Sequence, residues 1–302
     1  MTLPAGMQVF ERGWLSSNNV LFAGPDENVL VDTGYVAHAG QTLALVQQAL
    51  GGAPLGRILN THLHSDHCGG NAILQAAYPA VRTAIPPGQA EAVRAWDEAA
   101  LSYAATGQRC DRFAFDAVLA PGSIERLGGL EWELRAAPGH DPHAVMLHCR
   151  SERILLSADA LWEDGFGVIF PELAGEPGFA EQRAVLREIE RLDAALVVPG
   201  HGRPFTDLAG ALARAHARLD HFEADPARHA RHALKVLVVF FLMERRRVAA
   251  AELERHFGAT AYLRLLAQRH AGGDGHALMQ DATDRLARAG VVKQEGDFFL
   301  LA

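Results

Sequence analysis

The sequence predicts an α/β fold in which sheet packs against helices, followed by a smaller helical region. Three observations support this prediction. Short apolar runs rich in Val, Ile and Leu recur between turn residues over roughly the first 200 positions, which is typical of strands. Some of these runs follow one another directly, whereas others alternate with segments of helical spacing. From Leu208 onward the spacing is helical, and only the last residues return to a strand pattern.

Strands are predicted where short apolar runs are bounded by turn residues: 20–23, 29–31, 57–60, 81–85, 117–119, 130–136, 144–149, 154–157 and 195–198. Helices are predicted between them, at residues 39–50, 89–105 and 179–192. The first helix is expected to end at Gly51-Gly52, because glycine is common just after a helix.

A soft boundary is expected near residues 204–207, where the strand pattern stops. We therefore predict a main domain over residues 1–207 and a helical C-terminal domain over residues 208–302. Its helices are predicted at residues 208–223, 228–246, 249–257 and 277–289. Apolar runs on either side of Glu295-Gly296-Asp297 predict a terminal hairpin. Helices followed by a hairpin resemble a winged-helix domain, and a helical cap with a packed tail is an equally good interpretation.

The composition, with 49% hydrophobic and 21% charged residues, is that of an ordinary globular protein. Three scattered cysteines are too few for a disulfide framework, which favours a reducing compartment. The start, MTLPAGMQVFERGWL, lacks a basic segment followed by a long apolar run, so no signal peptide is indicated. The most apolar stretch, residues 236–243, is too short to cross a bilayer. We therefore expect a cytoplasmic protein with no membrane partner.

The formal net charge of −8 is unevenly distributed. From Arg228 to the end the chain has 12 Lys and Arg against 8 Asp and Glu, so the acidic excess lies in the main domain. An acidic body argues mildly against a nucleic acid as the main partner, because phosphate binding depends on clustered positive charge. The basic C-terminal region keeps that alternative open.

The residues with the clearest chemical meaning follow the strand predicted at residues 57–60. Four side chains that can bind metals lie close together in the run His62-Leu63-His64-Ser65-Asp66-His67. Imidazole and carboxylate groups together suit zinc or a similar first-row ion, and mixed His/Asp sites also accept iron or manganese. A tight turn of this kind can divide its ligands between two neighbouring ions.

Three more candidates, His140, Asp159 and His201, each come just after an apolar run, where strand ends gather around a site. A single histidine is more often an ordinary surface or core residue than a ligand. An ordinary structural role is a weaker explanation here, because all seven candidates come shortly after a predicted strand. The sequence therefore predicts a metal site.

These motifs resemble those of the metallo-β-lactamase superfamily of hydrolases. The matching segments, in the order of that family, are Val-Asp-Thr-Gly ending at Gly34, Thr-His-Leu-His-Ser-Asp-His ending at His67, Pro-Gly-His ending at His140, Ser-Ala-Asp ending at Asp159 and Pro-Gly-His-Gly ending at Gly202. The resemblance covers about residues 8–207. It implies an αββα sandwich, with the site along one edge of two packed sheets.

Carried over position by position, the resemblance implies two metal ions and seven ligands: His62, His64 and His140 at the first ion, Asp66, His67 and His201 at the second, and Asp159 bridging both. It also implies that Asp32 orients ligands through hydrogen bonds. Two cations that share one water lower its pKa from ~15.7 towards neutrality. The resulting hydroxide would attack a carbonyl or phosphoryl centre, and we expect Asp66 to be the catalytic carboxylate that holds the nucleophile or relays its proton.

Asp159 narrows the substrate class. In this family, enzymes that cleave β-lactams generally lack a bridging carboxylate, whereas thioesterases of the glyoxalase II type, lactonases and nucleases keep it. His64 argues against the electron-transferring diiron relatives, which replace part of that motif with glutamate. We therefore expect a dinuclear centre, with zinc as the first choice of metal, that hydrolyses an ester, lactone or thioester of a small molecule.

Three residues beside the motifs are candidates for further roles. His143 follows the second motif and is predicted either to orient a ligand or contact substrate, or to be a structural histidine. Trp162 and Phe166 follow Asp159 and are predicted either to line an apolar pocket or to pack beneath a loop.

Two alternative functions stay open. Some relatives with a winged-helix tail act on RNA, so a nuclease or phosphodiesterase is the alternative within the enzyme class. Outside that class, the chain could be a regulator whose C-terminal domain binds DNA. The helix predicted at residues 277–289 combines two acids with two bases, which argues against DNA contact. For this region we expect homodimerisation or a lid over the active site instead.

Overall fold

The computed structural model describes residues 3–302 and contains two large sheets that pack face to face. The first sheet has six strands in sequential order, β1 to β6: Met7–Phe10, Asn19–Phe22, Val29–Val31, Arg57–Leu59, Arg82–Ile85 and Ala117–Val118. The second has five, β7 to β11: Ile124–Leu127, Leu130–Ala136, Val145–Cys149, Ile154–Ala158 and Leu196–Pro199. Their spatial order is β11-β10-β9-β8-β7, with β10 and β11 parallel and the other pairs antiparallel.

Helices cover the outer faces of both sheets or connect the strands. They are α1 to α8: Ala39–Leu50, Ser65–Cys68, Asn71–Ala77, Ala90–Ala95, Tyr103–Thr106, Phe170–Ala174, Phe179–Arg191 and Leu208–Ala224. The first helix ends at Gly51, which has a left-handed φ of 57° that glycine adopts without strain.

The alternation of side chains along each strand produces the layers. In β2, Phe22 points into the core between the sheets, where it contacts Trp132, and Leu21 points outward to the α1 layer. In β10, Leu156 lies in the inner core and Leu155 packs against the helices on the opposite face. The result is helix, sheet, sheet, helix. The predicted αββα arrangement is confirmed.

After α8 the chain forms a second group of elements. Four helices, α9 to α12, span Pro226–Arg245, Ala250–Gly258, Ala261–His270 and Gly275–Arg288. Three short antiparallel strands, β12 to β14, span Arg247–Ala249, Val292–Glu295 and Phe298–Leu301, in the order β12-β14-β13. The expected hairpin is present, with Gly296 at φ 59° in its turn. The winged-helix interpretation stays a prediction.

One predicted helix, at residues 89–105, is wrong as a continuous element. Trp96 and Ser102 adopt left-handed backbone conformations, with φ of 56° and 68°, and they separate α4 from α5. Between them, the Asp97 carboxylate accepts hydrogen bonds from the backbone N–H groups of Ala99 and Ala100. This local turn competes with helical hydrogen bonding and breaks the helix.

Several short elements were outside the prediction. The strands β1, β7 and β12 each span four residues or fewer, which is too short for a clear apolar period. Helix α11 is amphipathic only weakly, yet its start is defined by Thr260, whose side chain accepts a hydrogen bond from Leu263 N.

The packing of α8 bears on the domain boundary expected after residue 207. The buried residues of α8, including Leu212 and Leu219, belong to the same apolar cluster as Val185 and Ile189 of α7. By contrast, α9 to α12 share a separate apolar cluster. The boundary stays a prediction, and the packing favours a division at the turn between α8 and α9. Within residues 3–302, no helix is long and apolar enough to cross a membrane.

Candidate metal centre

The loop after β4 presents its polar side chains in a fixed direction. His62 and His64 lie on one side of an extended segment, while Leu63 between them is buried on the other side in an apolar cluster. Helix α2 then brings Asp66 and His67 towards the same point. Polar groups behind this loop hold it in place: Thr33 N donates a hydrogen bond of 2.7 Å to His67 O.

The other three candidates come from strands that run in one direction. β8, β10 and β11 point the same way, so the residues after them gather at one edge of the second sheet. His140 follows β8, Asp159 follows β10 directly, and His201 follows β11. Gly200 has no room for a side chain, because a Cβ there would collide with the Asp159 carboxylate. The glycine before His201 therefore permits the close approach of two strand ends.

The structure brings all seven predicted ligands together. They form three overlapping groups, in each of which the potential ligand atoms lie within 4.8 Å of one another: His62, His64 and His140; His62, His67 and Asp159; Asp66, His67 and His201. Five of the seven side chains are buried at 5% exposure or less: His62, His67, His140, Asp159 and His201.

Asp159 lies between the two ends of this cluster. One of its oxygens is 3.4 Å from His140 Nε2 and 3.8 Å from His201 Nε2, and the other is 3.4 Å from His67 Nε2. At one end, His64 Nδ1 lies 2.7 Å from His140 Nε2, and at the other end, Asp66 Oδ2 lies 3.1 Å from His201 Nε2. A carboxylate in this position reaches both groups of histidines.

Hydrogen bonds outside the cluster determine which ring nitrogens face into it. His140 Nδ1 lies 2.6 Å from the carbonyl oxygen of Val168, which can only accept, so in the neutral ring the Nε2 lone pair faces the cluster. His67 Nδ1 likewise lies 2.8 Å from Asp32 Oδ2. Its Nε2 is buried without a hydrogen-bond partner among the described residues.

The orientation of the His62 ring is also determined by hydrogen bonds, in this case through Thr61. Thr61 Oγ1 donates its proton to Asp32 Oδ2, so it can only accept from His62 Nδ1, 3.2 Å away. The Nε2 lone pair of His62 then points at His140 Nε2, 3.3 Å away. Several lone pairs and two carboxylates therefore converge, which is an arrangement that a cation stabilises and that apolar packing does not. The residues present fit a metal site.

The electrostatics of the cluster agree with this. Burial is the main cause that lowers the pKa of His62 well below its usual value and that of His140 to about 4, so both rings stay neutral and able to bind a metal. Burial opposes ionisation of Asp159, yet the nearby histidines, His201 and His67 first, hold its pKa well below the usual range. Burial likewise disfavours a charged His67, but Asp159 and Asp32 raise its pKa well above normal. The surroundings of His67 and Asp159 therefore stabilise positive charge in the cluster.

Asp32, which the resemblance implies orients ligands, lies behind the predicted ligands. Its carboxylate accepts hydrogen bonds of 2.8 Å from Thr61 N and Thr61 Oγ1, and it lies 2.8 Å from His67 Nδ1. Asp32 has a φ of 56°, an unusual value for a residue other than glycine, and these contacts over-determine its position.

The three residues predicted beside the motifs have different placements. Trp162 lies at the cluster, where its Nε1 donates a hydrogen bond of 3.2 Å to Asp159 Oδ1. Phe166 is buried and borders the adjoining cavity. His143 does not join the cluster or line that cavity; its ring packs against Gly88, where a Cβ would collide with it. For His143 the structural interpretation is therefore the one that its contacts support.

Two further residues contact the cluster, and the sequence motifs did not identify either of them as part of the site. The carboxylate of Asp141, interpreted from the sequence only as a turn former, lies 3.6 Å from His64 Nε2 on the side away from His140. Trp14 stacks on the His201 ring, with centroids 5.5 Å apart and planes 4° from parallel, and it is 53% exposed. The sequence reveals neither this stacking nor the exposure of Trp14.

A cavity of about 700 Å³ opens directly in front of the cluster. Its floor includes His64, Asp66, Asp159 and His201. Its opposite wall is one face of α9, formed by residues at helical spacing: His232, Lys235, Val236, Val239, Phe240 and Met243. The C-terminal region thus completes a pocket whose floor belongs to the main body.

Comparisons with known proteins agree with this geometry. Residues 12–201 match the profile of the metallo-beta-lactamase superfamily. The chain belongs to that superfamily. The predicted family and the predicted class of enzyme, a metal-dependent hydrolase, are thereby confirmed.

Individual relatives give more detail. A hydroxyacylglutathione hydrolase of Anaeromyxobacter dehalogenans (strain 2CP-C) is 31% identical over 225 residues, which cover 72% of this chain and 76% of that protein. The acyl-coenzyme A thioesterase MBLAC2 of Homo sapiens is 27% identical over 228 residues, covering 65% and 77% respectively. The crystal structure of a metallo-beta-lactamase family protein from Thermus thermophilus covers all of both chains, with a TM-score of 0.60 and 20% identity, and so supports the fold.

Proposed function

We propose that this chain is a dinuclear metal-dependent thioesterase that acts on a small molecule. The observation that carries the proposal is the convergence of seven ligand groups with Asp159 between the two ends of the cluster. The sequence relationship to a hydroxyacylglutathione hydrolase and an acyl-coenzyme A thioesterase supports a thioester rather than another acyl group. An ester or lactone has the same carbonyl chemistry and stays an alternative substrate.

The protein's own residues would have the following roles. One ion would be held by His62, His64 and His140, the other by Asp66, His67 and His201, with Asp159 touching both. Bound zinc, or iron or manganese in its place, would supply a nucleophilic hydroxide at neutral pH and polarise the carbonyl oxygen. Asp66 borders the cavity and can hold the proton of the attacking water. Asp32 fixes the orientation of His67, and Val168 that of His140.

The cavity argues for a small molecule rather than RNA. Of the three basic residues that line it, Arg203 is paired with Glu163, and only Arg218 and Lys235 are without a carboxylate partner in the described part of the chain. Asp66, Asp159, Glu163 and Asp164 also line the cavity. A polyanion needs a continuous positive track, which this wall does not supply.

We further propose that the C-terminal region is a cap over the active site, since α9 forms one wall of the cavity. In the predicted recognition helix, α12, Arg285 forms an ion pair of 2.7 Å with Asp281, so its charge is compensated. The DNA-binding alternative therefore has little support from this helix. Homodimerisation and the cytoplasmic location stay predictions.

The test is a panel of substrates offered to the metal-loaded protein: acyl thioesters of glutathione and coenzyme A, aryl esters, lactones, a phosphodiester and a β-lactam. We expect thioesters to give the highest kcat/KM and to lose turnover when a chelator removes the metal. Preferential cleavage of the phosphodiester would overturn the proposal in favour of the nuclease alternative.

A further inference from the structure

The cavity in front of the cluster is amphipathic along its length. Towards the N-terminal half of α9 it is lined by His232 and Lys235, and towards the C-terminal half by Val239, Phe240 and Met243. Arg218 of α8 lines the cavity beside His232. The wall opposite the metal-binding floor therefore offers positive charge in one part and apolar surface in another.

Arg218 is the unusual residue in this wall. Its guanidinium carbon lies 5.7 and 5.6 Å from the ring centroids of Phe166 and Phe222, which pack edge to face on each other. One N–H group lies 3.3 Å from the carbonyl oxygen of Asp164, and another lies 2.7 Å from His232 Nε2. Because arginine has five N–H groups, three have no acceptor within residues 3–302. None of these contacts is with a predicted metal ligand.

The charge of Arg218 is not compensated by its surroundings. Burial, with Arg218 next in effect, lowers the pKa of His232 to about 3, so this imidazole is neutral and accepts a hydrogen bond without cancelling the charge. No carboxylate lies within ion-pair distance of Arg218 or Lys235 in the part of the chain that the structure describes. The neighbouring arginines on α8 and α7 differ: Arg214 pairs with Asp164 and Asp207, and Arg183 with Asp220 and Glu223.

The fold leaves room for Arg218 at a specific position. Gly165, in the turn that begins at Trp162, has a φ of 136°, and a Cβ there would come within 2.5 Å of Arg218 Nη1. A side chain at residue 165 would therefore displace the guanidinium group. The same turn follows Asp159, so the position of Arg218 is tied to the segment that supplies a predicted metal ligand.

A half-buried, uncompensated arginine costs free energy in the free protein, because its charge is partly desolvated without a partner. Such a group is well suited to an anion that enters from the cavity and takes the free N–H groups. The adjacent rings of Phe166 and Phe222 restrict its rotation.

We propose that Arg218, assisted by Lys235, binds a carboxylate or phosphate group of the substrate. In this proposal, which rests on the proposed function for its claim that the ligand is the substrate, the thioester carries an anionic group and an apolar chain. The anion lies at Arg218, apart from the reacting carbonyl, and the chain lies along Val239, Phe240 and Met243. Arg218 is thus a residue that determines specificity.

The first experiment measures binding without requiring turnover. The metal-loaded protein is titrated by calorimetry with octanoate, with octyl phosphate and with the uncharged octanamide. We expect one or both anions to bind more tightly than octanamide, and Arg218→Gln to weaken the binding of the preferred anion roughly ten- to a hundredfold. Octanoate and octyl phosphate distinguish a carboxylate from a phosphate site.

Two further variants make this result specific. Arg214→Gln, one turn earlier on α8, removes an arginine that is already paired with carboxylates and does not line the cavity, so it should bind both anions as the unaltered protein does. Lys235→Gln should weaken anion binding by a smaller factor and tests the site independently should Arg218→Gln fold poorly. Anion binding that Arg218→Gln and Lys235→Gln leave unchanged would overturn the proposal and place the anion at the metal centre.

The second experiment separates this inference from the proposed function. Acyl thioesters of coenzyme A and of the neutral thiol N-acetylcysteamine are compared as substrates for the same variants. Arg218→Gln should lower kcat/KM for the anionic substrate mainly through KM and leave the neutral one within about threefold, which would support the site. Equal losses for both substrates would overturn it. Arg218-dependent anion binding without any thioester hydrolysis would support the anion site while refuting the thioesterase function.

Discussion

The metal centre and the wall that faces it across the cavity are built on different principles. Each predicted ligand of the centre lies just after a strand or in one tight loop, and two of the rings, His67 and His140, are fixed from behind by hydrogen bonds that the Asp32 carboxylate and the Val168 carbonyl accept. The α9 wall is one face of a single helix, and four of the six side chains named above for it are apolar. We infer from this difference that the type of reaction depends on the centre, whereas α8 and α9 are suited to select the substrate.

The largest expected effect comes from breaking the centre itself. His64→Ala and Asp159→Ala each remove a group from the cluster, and each should lower kcat by about a thousandfold or more, since metal-assisted stabilisation contributes several kcal/mol. Metal analysis of the purified variants should show that at least one ion is lost. Full activity in either variant would contradict the proposed mechanism. His143→Ala, whose ring packs on Gly88, is the matched control and should keep its metal.

A smaller effect on the metal centre is expected from substitution of Asp32, which lies behind the predicted ligands. Asp32 receives two donated hydrogen bonds from Thr61 and lies beside His67 Nδ1, and Asn offers only one acceptor oxygen for these three donors. Asp32→Asn should therefore weaken metal binding about ten- to a hundredfold, as measured by competition with a chelator. Asp193→Asn, at an exposed ion pair with Arg153, should have no such effect. Unchanged metal affinity in Asp32→Asn would show that ring orientation is set elsewhere.

A substitution in the α9 wall should change KM and leave the metal content unchanged. Val236 is 38% exposed and lines the cavity, so Val236→Ser should change the fold little. We expect KM for long-chain acyl thioesters to rise roughly fivefold, from the loss of about 1 kcal/mol of apolar contact, with metal content unchanged. Val291→Ser, at a comparably exposed residue outside the cavity, is the control. If the two variants behave alike, the α9 face does not contact the substrate.

The smallest effect concerns the attachment of α9 to the main body. Glu244 of α9 accepts a hydrogen bond of 3.0 Å from the buried Tyr35 hydroxyl and forms an ion pair with Arg109. Glu244→Gln should lower the free energy of unfolding by about 1–2 kcal/mol, measured by denaturant titration. Glu91→Gln, at the exposed ion pair with Arg94, should change it by less than about 0.5 kcal/mol. Equal values would mean that Glu244 does not anchor α9.

The same contrast explains what the sequence could predict. The clustering of the seven predicted ligands could be anticipated because their chemistry is concentrated in short motifs at strand ends, and edges of sheets bring such ends together. Trp14 and Arg218 were not assigned to the site, because their roles depend on how distant segments pack: Trp14 on His201, and Arg218 against Gly165. A glycine in a turn and an arginine in a helix have many ordinary explanations, and only the assembled fold distinguishes them.

The same distinction between local sequence patterns and the packing of distant segments applies to the fold. Long strands and helices with clear periods were predicted at nearly the observed bounds, whereas the break between α4 and α5 depends on a local turn around Asp97 that apolar spacing does not register. The position of α8 is a second case. Its helical pattern was recognised, but its packing partner in α7 belongs to the main body and lies outside the reach of a local pattern.

The most direct measurement of the central claim is anomalous diffraction from crystals of the metal-loaded protein, recorded at the absorption edge of the metal it contains. The account predicts two peaks, one among His62, His64 and His140 and one among Asp66, His67 and His201, with Asp159 between them. Crystals of catalytically active protein without anomalous density at this cluster would contradict it.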